Sequence, residues 1–386
     1  MTRCRSGALP PLGAGLGEVS LVPIARRNIL SDKAKFLLAL GGVTLSIVLI
    51  IVVNSLYQGA KRELSSFVRS LPGDVWVTQQ GTSDLVLSNS HLPEAAADDI
   101  RAVPGVAGVH RLYGRLMAFE VDGEEVMRTY VMSFAPDESL AIPEGSGVVP
   151  KPGTIIIDDT FASETGLSPG ETVTSRGSEL TVAEVRHVGN VLVTQFAFVH
   201  PEDFGRLFGI PDTVNFFLVS LGPDATEATT ESIAQQVEGS SAYTTDQFAR
   251  RSSNKGVGDF LPIIRVIMAI SFIVGLAVLS LTIYSATIER VREYAILKVL
   301  GASPLRLYRI VLSQSTTIAV LGFGAGVGLA FLFNRVAGDV VPQFITYIRW
   351  RDVALLLGVT ALMTFISTYL PISRVARVDP ASVFRA

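Results

Sequence analysis

Cysteine is almost missing from this chain of 386 residues; the only one is Cys4. A single thiol excludes an intrachain disulfide and any zinc site built on paired cysteines. The four histidines, His91, His110, His187 and His200, never fall at the close spacing that two metal ligands on one element need. There is no Gly-x-Ser-x-Gly elbow for a hydrolase nucleophile and no Gly-x-x-x-x-Gly-Lys-Ser/Thr loop to cradle a phosphate. Charge is scarce as well: Asp, Glu, Lys and Arg make up 17% of the residues, where a soluble domain carries about a quarter. No stretch is basic and aromatic enough to hold nucleic acid, and the net charge of −3 opposes it.

What is abundant is apolar: 48% of the residues are hydrophobic, with a mean hydropathy of +0.43. The excess is concentrated in four segments without a charged side chain, 36–57, 266–288, 310–333 and 353–372. Each has about 20 residues or more, enough for a helix to cross a hydrocarbon core roughly 30 Å thick. The first is too long for the apolar stretch of a signal peptide, and no small-residue cleavage site follows it, so it is expected to stay as an anchor. Residues 1–20, rich in Gly and Pro and without period, are expected to be a disordered tail. The expected fold class is a polytopic α-helical membrane protein with four transmembrane helices and a large α+β extracytoplasmic domain between helices 1 and 2. Its parts are the tail, an elbow helix with the first span (21–60), the outer domain (61–258), and spans 2–4 with a cytoplasmic loop at 289–309 (259–386).

Charge sets the orientation. Residues 61–258 hold 27 acidic and 14 basic side chains, a balance of −13, whereas the remainder of the chain stands at +10. Six bases precede the first span, five lie in 289–309 and three follow the last span. Basic flanks stay in the cytoplasm, so both termini and the 289–309 loop are expected there, with 61–258 outside. The loop 334–352 is then also outside; its Arg335, Arg349 and Arg351 weaken the bias without reversing it.

The outer segment mixes strand and helix signals. "DVWVTQQ", "TIIID", "ELTVAEV" and "VNFFLVSL" read as strands, and 106–131 as a hairpin turning at Asp122-Gly123. Pro93 is placed at the first position of a helix over "PEAAADDIRAV", and "ATEATTESIAQQV" reads as a polar helix. Pro169-Gly170 marks a turn. Two lobes are expected, the second near 150–211 inserted into the first. The adjacent acids Asp158-Asp159 and Glu124-Glu125 read as solvated turns, because strand neighbours point to opposite faces and paired catalytic carboxylates must converge.

The stretch "ERVREYAILKVLGAS" at 289–303, between two spans, carries a helical pattern. Ile288, Val291, Ala295 and Val299 recur at spacings of three and four and define one face. Glu289, Arg292 and Glu293 lie opposite, with Glu289 and Arg292 in i, i+3 register to pair. Gly301 suits the left-handed position after a helix and Pro304 prevents continuation. On these features alone, a helix that only turns the chain at the membrane surface is as good a reading as a docking element. In the third span, "LGFGAGVG" sets Gly322 and Gly326, and Gly324 and Gly328, four apart, the spacing at which helix backbones approach closely. Arg26, Arg27, Lys33 and Lys35 before the first span suit an interfacial helix against anionic lipid.

The run "TIYSATIERVREYAILKVLGASPLRLYRIVLSQS" resembles the cytoplasmic loop of the MacB/FtsX-like ABC transporter permeases. So do the order of one span, large outer domain and three spans, the stretches "GDVWVTQQGTSDLVL" and "IRAVPGVAGV", and the tail "VDPASVFRA". In that family the loop forms a coupling helix that docks on the ATPase subunit; the matching positions are Glu289, Arg290, Glu293, Lys298, Gly301 and Ala302. The resemblance implies a permease subunit in a bacterial cytoplasmic membrane that is not itself an enzyme. Two copies, or two close relatives, would work with cytoplasmic ATPases that hold ATP and Mg, for export or extraction. It leaves open a membrane-fusion adaptor and the cargo. Two other readings stand beside transport: an FtsX-like signal transducer that activates a cell-wall hydrolase, and a haem exporter, for which Tyr347 is the one ligand type at the outer boundary.

Overall fold

The computed structural model describes residues 33–86, 90–121, 124–135, 149–188, 190–191, 194–209, 213–340 and 345–376. The turn at 122–123, the elbow residues Arg26 and Arg27, and the tail 378–386 lie outside the described residues. Contacts divide the chain into two units, one of Met1–Val48, Ile270–Gly328 and Ala354–Ala386, the other of Leu49–Ala269 and Leu329–Val353.

Helix α1, Lys33–Ser70, has 38 residues, nearly twice what a bilayer requires. Pro72 prevents its continuation, and Gly73 at φ +131° turns the chain into a sheet. The elements that follow, in chain order, are β1 Val75–Gln79, β2 Leu92–Pro93, α2 Ala96–Arg101, β3 Val106–Val121 and β4 Glu124–Ala135. Next come β5 Thr154–Asp158, α3 Asp159–Thr165, β6 Thr172–Ser175, β7 Ser178–Arg186, β8 Asn190–Val191, β9 Thr194–Val199 and α4 Pro201–Phe208. The domain closes with β10 Thr213–Val214, β11 Phe216–Leu221, α5 Glu227–Gln236, β12 Ser240–Thr244 and α6 Thr245–Gly256.

Ten strands form one sheet in the order β12-β1-β11-β3-β4-β9-β5-β7-β6, with β8 on β9. The long hairpin β3–β4, paired from Arg111↔Ala135 to Val121↔Glu124 with a shift of register between Ala118 and Phe119, is its spine. The strands from 154–199 occupy one end of this sheet. The apolar strand β11 is buried at Phe216, Phe217, Leu218 and Val219, so both of its faces are covered. One core is shared with the outer part of α1: Leu64, Phe67 and Val68 pack among Trp76, Phe134, Phe196 and Phe248. Phe67 stacks on Phe196 with centroids 4.3 Å apart.

Pro93 does not open a helix. It lies in β2, paired with Thr213 of β10, and the helix starts three residues later at Ala96. Proline lacks an N–H, so a short edge pairing accepts it, and that tertiary pairing overrides the local preference for a helix start.

Past the sheet, α7 Leu261–Glu289, α8 Val291–Val299, α9 Pro304–Val340 and α10 Trp350–Ala376 complete the chain. Four helical stretches among the described residues are long and apolar enough to cross a membrane: Lys33–Ser70, Thr245–Glu289, Leu305–Ala337 and Trp350–Ser373. They contain the four uncharged runs of the sequence. In the first unit several of their hydroxyls are satisfied locally, as buried polar groups in an apolar setting require: Thr360 donates to Leu356 O at 2.8 Å and Thr364 to Thr360 O at 2.8 Å. Thr368 also donates across to Ser315 Oγ at 2.9 Å, joining α10 to α9.

Candidate functional site

Helix α7 stops at Glu289, and Arg290, at φ −107° and ψ 17°, breaks the helical course before α8 begins. The nine residues of α8 end in a closed cap. Ala302 N–H donates to Leu297 O at 2.9 Å and Gly301 N–H to Lys298 O at 3.1 Å. This pair of bonds is the Schellman arrangement, which needs a left-handed residue at its centre. Gly301 supplies it at φ +86°. Ser303 Oγ then accepts from Arg306 N–H at 3.4 Å at the entry to α9. The loop is therefore two defined helix ends joined by four residues, Leu300 to Ser303.

The apolar face read from the sequence is mostly exposed. Of Ile288, Val291, Ala295 and Val299, only Ala295 is buried; Ile288 is 44% and Val299 63% exposed. The break at Arg290 resets the helical phase, so residue 288 no longer shares a face with 295 and 299. Tyr294 and Ala295 anchor α8 instead, while Ile296, Val299, Leu300 and Leu305 are exposed, Leu300 at 77%. The ion pairing also differs from expectation. Glu289 pairs with Lys35 at the start of α1, and the i, i+3 pair is Arg290–Glu293 at 3.6 Å. Arg292 and Glu293 are exposed, Lys298 and Ala302 half-buried. Lys33 is exposed at the first residue of α1.

The four glycines of α9 separate into two pairs. A methyl group on Gly322 would meet Val43 Cγ1 at 2.8 Å, and one on Gly326 would meet Ile47 Cγ2 at 2.7 Å and Thr44 O at 3.1 Å. Thr44 Oγ1 lies 3.4 Å from Gly322 O. Gly324 and Gly328 have nothing within 4 Å. One side of α9 thus lies backbone-close against α1, and the other is open.

In the outer domain, Asp158 is a correction. It is fully buried at the end of β5, not solvated in a turn. Its carboxylate caps α3, accepting from Thr160 N–H at 2.9 Å, the Thr160 hydroxyl and Val188 N–H at 2.9 Å. Residues 158 and 159 straddle a strand-to-helix junction, where the alternation of strand neighbours no longer applies. Asp159 faces His187, whose Nδ1 lies 3.3 Å from both of its oxygens and whose Nε2 lies 3.1 Å from Glu63 Oε1 on α1. Burial lowers the His187 pKa, but the hydrogen bond and charge of Asp159, with Glu63 and Asp158, outweigh it and leave it raised. Donor atoms of Asp158, Asp159 and His187 converge within 4.8 Å. Their hydrogen bonds account for the arrangement as a clasp between α1 and the β5–α3 junction. Glu124 and Glu125 have no described side chains.

Nothing in the sequence spacing links Lys35 to Glu289, 254 residues apart, or Glu63 to His187, 124 apart. These partners are found only in the fold.

Comparison with known proteins agrees with this layout. Residues 36–237 match the MacB-like periplasmic core domain and residues 265–380 the FtsX-like permease C-terminal region. An ABC transporter permease of Methanocaldococcus jannaschii is 22% identical over 97% of this chain and 100% of its own length. The ABC transporter permease YknZ of Bacillus subtilis is 24% identical over 94% of this chain and 98% of its own. The solved extracellular domain of YknZ from Gram-positive bacteria aligns with 45% of this chain and all of that one, at 14% identity and a TM-score of 0.32. With one family domain spanning more than half of the sequence and a second covering the last three spans, the chain belongs to the MacB/FtsX-like family of ABC transporter permeases.

Proposed function

We propose that this permease is the membrane subunit of an exporter or extractor driven by a separate cytoplasmic ATPase, and that α8 with its cap is where that ATPase docks. The observation that carries the reading is the exposed apolar set Ile296, Val299, Leu300 and Leu305 around the Gly301 cap. Contiguous exposed apolar side chains rimmed by charge mark interaction surfaces, and here the rim is Arg292, Glu293 and Lys298. The 386 residues hold no phosphate-cradling loop, so ATP and Mg are assigned to the partner. The charge partition supports a cytoplasmic side for α8 and both termini, and an outer side for 61–258. The match of 36–237 to a MacB-like core domain favours transport over activation of a cell-wall hydrolase. A second copy of the chain, or a close relative, would complete the complex, with an adaptor as a further partner.

Leu300→Glu tests the docking assignment. The residue is 77% exposed, so the change leaves the permease fold intact. Co-purification with the ATPase should fall at least tenfold. Undiminished co-purification would move the docking surface elsewhere.

A further inference from the structure

Cations collect where the first apolar run ends and the fourth begins. The first run ends at Tyr57 and the fourth begins at Val353. Between these marks the structure brings Lys61, Arg62, Arg349 and Arg351 to one region of the second unit. Tyr347 N–H donates to Ser55 O at 3.0 Å, and Gly59 lies so close to the Ile345 carbonyl that a methyl group has no room. These backbone contacts fix the 345–349 segment on α1. Arg62 stacks on the Tyr347 ring at 4.4 Å, and burial, with the charge of Arg349 adding to it, lowers the Lys61 pKa.

The counter-charge is one carboxylate. Asp352 takes two bonds from Arg349, at 3.0 and 3.1 Å, and a third from Asn54 Nδ2 at 2.8 Å. Lys61 meets neutral partners, the Asn254 amide oxygen at 2.5 Å and the Tyr57 ring at 5.5 Å. Among the described residues neither Lys61 nor Arg62 has a carboxylate within ion-pair distance. A lysine ammonium has three donors and a guanidinium five, so several N–H groups remain to receive an anion. Cations gathered here also run against the bias that places basic residues on the cytoplasmic flank. Packing like charges together on a backbone-fixed support is unfavourable unless an anion joins them.

We infer that Lys61, Arg62 and Arg349 form a binding site for the phosphate of an anionic phospholipid, seated at the membrane boundary between α1 and the 345–352 segment. The position favours a lipid over free phosphate. The site adjoins two apolar runs, and beside it the exposed Tyr347 is of the aromatic type enriched at membrane interfaces. Each cation near a charged membrane surface contributes about a fivefold preference for anionic lipid.

The test uses the full chain in nanodiscs of phosphatidylcholine with phosphatidylglycerol as the minor lipid. The retained lipids are counted by native mass spectrometry after mild delipidation. The wild type should retain phosphatidylglycerol over phosphatidylcholine. The Lys61→Gln, Arg62→Gln pair should reduce that preference by about 25-fold, and Lys61→Arg should keep it. Arg69→Gln, which removes a cation paired with Asp246 elsewhere on α1, should change nothing. Lys61→Arg shows that the site, rather than folding, is being read. The inference is overturned if the double variant keeps the wild-type preference, if Arg69→Gln loses it equally, or if inorganic phosphate alone displaces the retained lipid.

Discussion

Gly326 offers a sharp test of how the membrane helices pack. In Gly326→Ala the new methyl would stand 2.7 Å from Ile47 Cγ2, 2.8 Å from Ile47 Cβ and 3.1 Å from Thr44 O. Carbon atoms are at their optimum about 3.5–4.0 Å apart, so the two helices must separate locally by about 1 Å. Ile47 is β-branched, so its χ1 is stiff in a helix, and 2% exposed, and the Thr44 carbonyl is backbone. Overpacking of this kind costs about 1–3 kcal/mol. Helix propensity acts in the opposite direction, because Ala is favoured over Gly in a helix interior by about 1 kcal/mol. Gly328→Ala isolates the two effects. It makes the same chemical change on the same helix, with nothing within 4 Å of the added methyl. Propensity cancels between the variants, and the difference in their stability is the packing cost itself, about 1–3 kcal/mol. Thermal unfolding of both variants in one detergent, with Gly322→Ala and Gly324→Ala as a second pair, measures it. The reasoning fails if Gly326→Ala melts at or above Gly328→Ala.

Three further outcomes concern the outer domain and its orientation. Asp158→Ala leaves the Thr160 and Val188 amides without their buried acceptor, and should destabilise the outer domain by about 2–4 kcal/mol, read as a lower midpoint in urea with an unchanged slope. His187 has a folded pKa above its unfolded value of about 6.5, so its clasp stabilises fully below that value and loses its effect as pH rises through the folded pKa. The gap in melting temperature between wild type and His187→Gln should therefore be widest at mildly acidic pH, close by alkaline pH and shrink with salt; a gap independent of pH would dismiss the clasp. For orientation, in a Cys4→Ala background a cysteine at exposed Ser232 should react with an impermeant thiol reagent in intact cells, and one at Ser303 only after permeabilisation.

The parts legible in the sequence share a physical character: each is decided within a short window. The four spans are legible because about 20 uncharged apolar residues in a row satisfy a thickness, whatever their neighbours are. The Gly301 cap is legible because only glycine enters the left-handed position cheaply and Pro304 forbids continuation. The strands at Val75–Gln79, Thr154–Asp158 and Phe216–Leu221 are legible from their apolar runs and flanking turns. What escaped the sequence depends on distant partners. Pro93 reads as a helix start but is held by Thr213, 120 residues on. Asp158 reads as an ordinary acidic turn until Val188 is brought to it. Ile288 reads as part of the α8 face, but the break at Arg290 takes it out of phase with 295 and 299. The division of the glycines into a packed and an open pair depends on where α1 lies against α9, which spacing alone does not encode.

The central claim is that force from ATP hydrolysis enters this permease through α8 and its cap. The most direct measurement is the ATPase rate of the purified partner with and without the permease in nanodiscs, for wild type, Gly301→Val and Glu293→Lys. Gly301 sits at φ +86°, where a β-branched residue is strained, so valine should redirect the chain between α8 and α9 without touching the outer domain. Glu293 is exposed and pairs with Arg290 at 3.6 Å, so reversing its charge alters the rim of the docking surface while the fold is kept. The account predicts that both variants insert, retain the wild-type outer-domain melting, and lose permease-stimulated hydrolysis. Full stimulation by both variants would contradict it and leave α8 as a turn at the membrane surface.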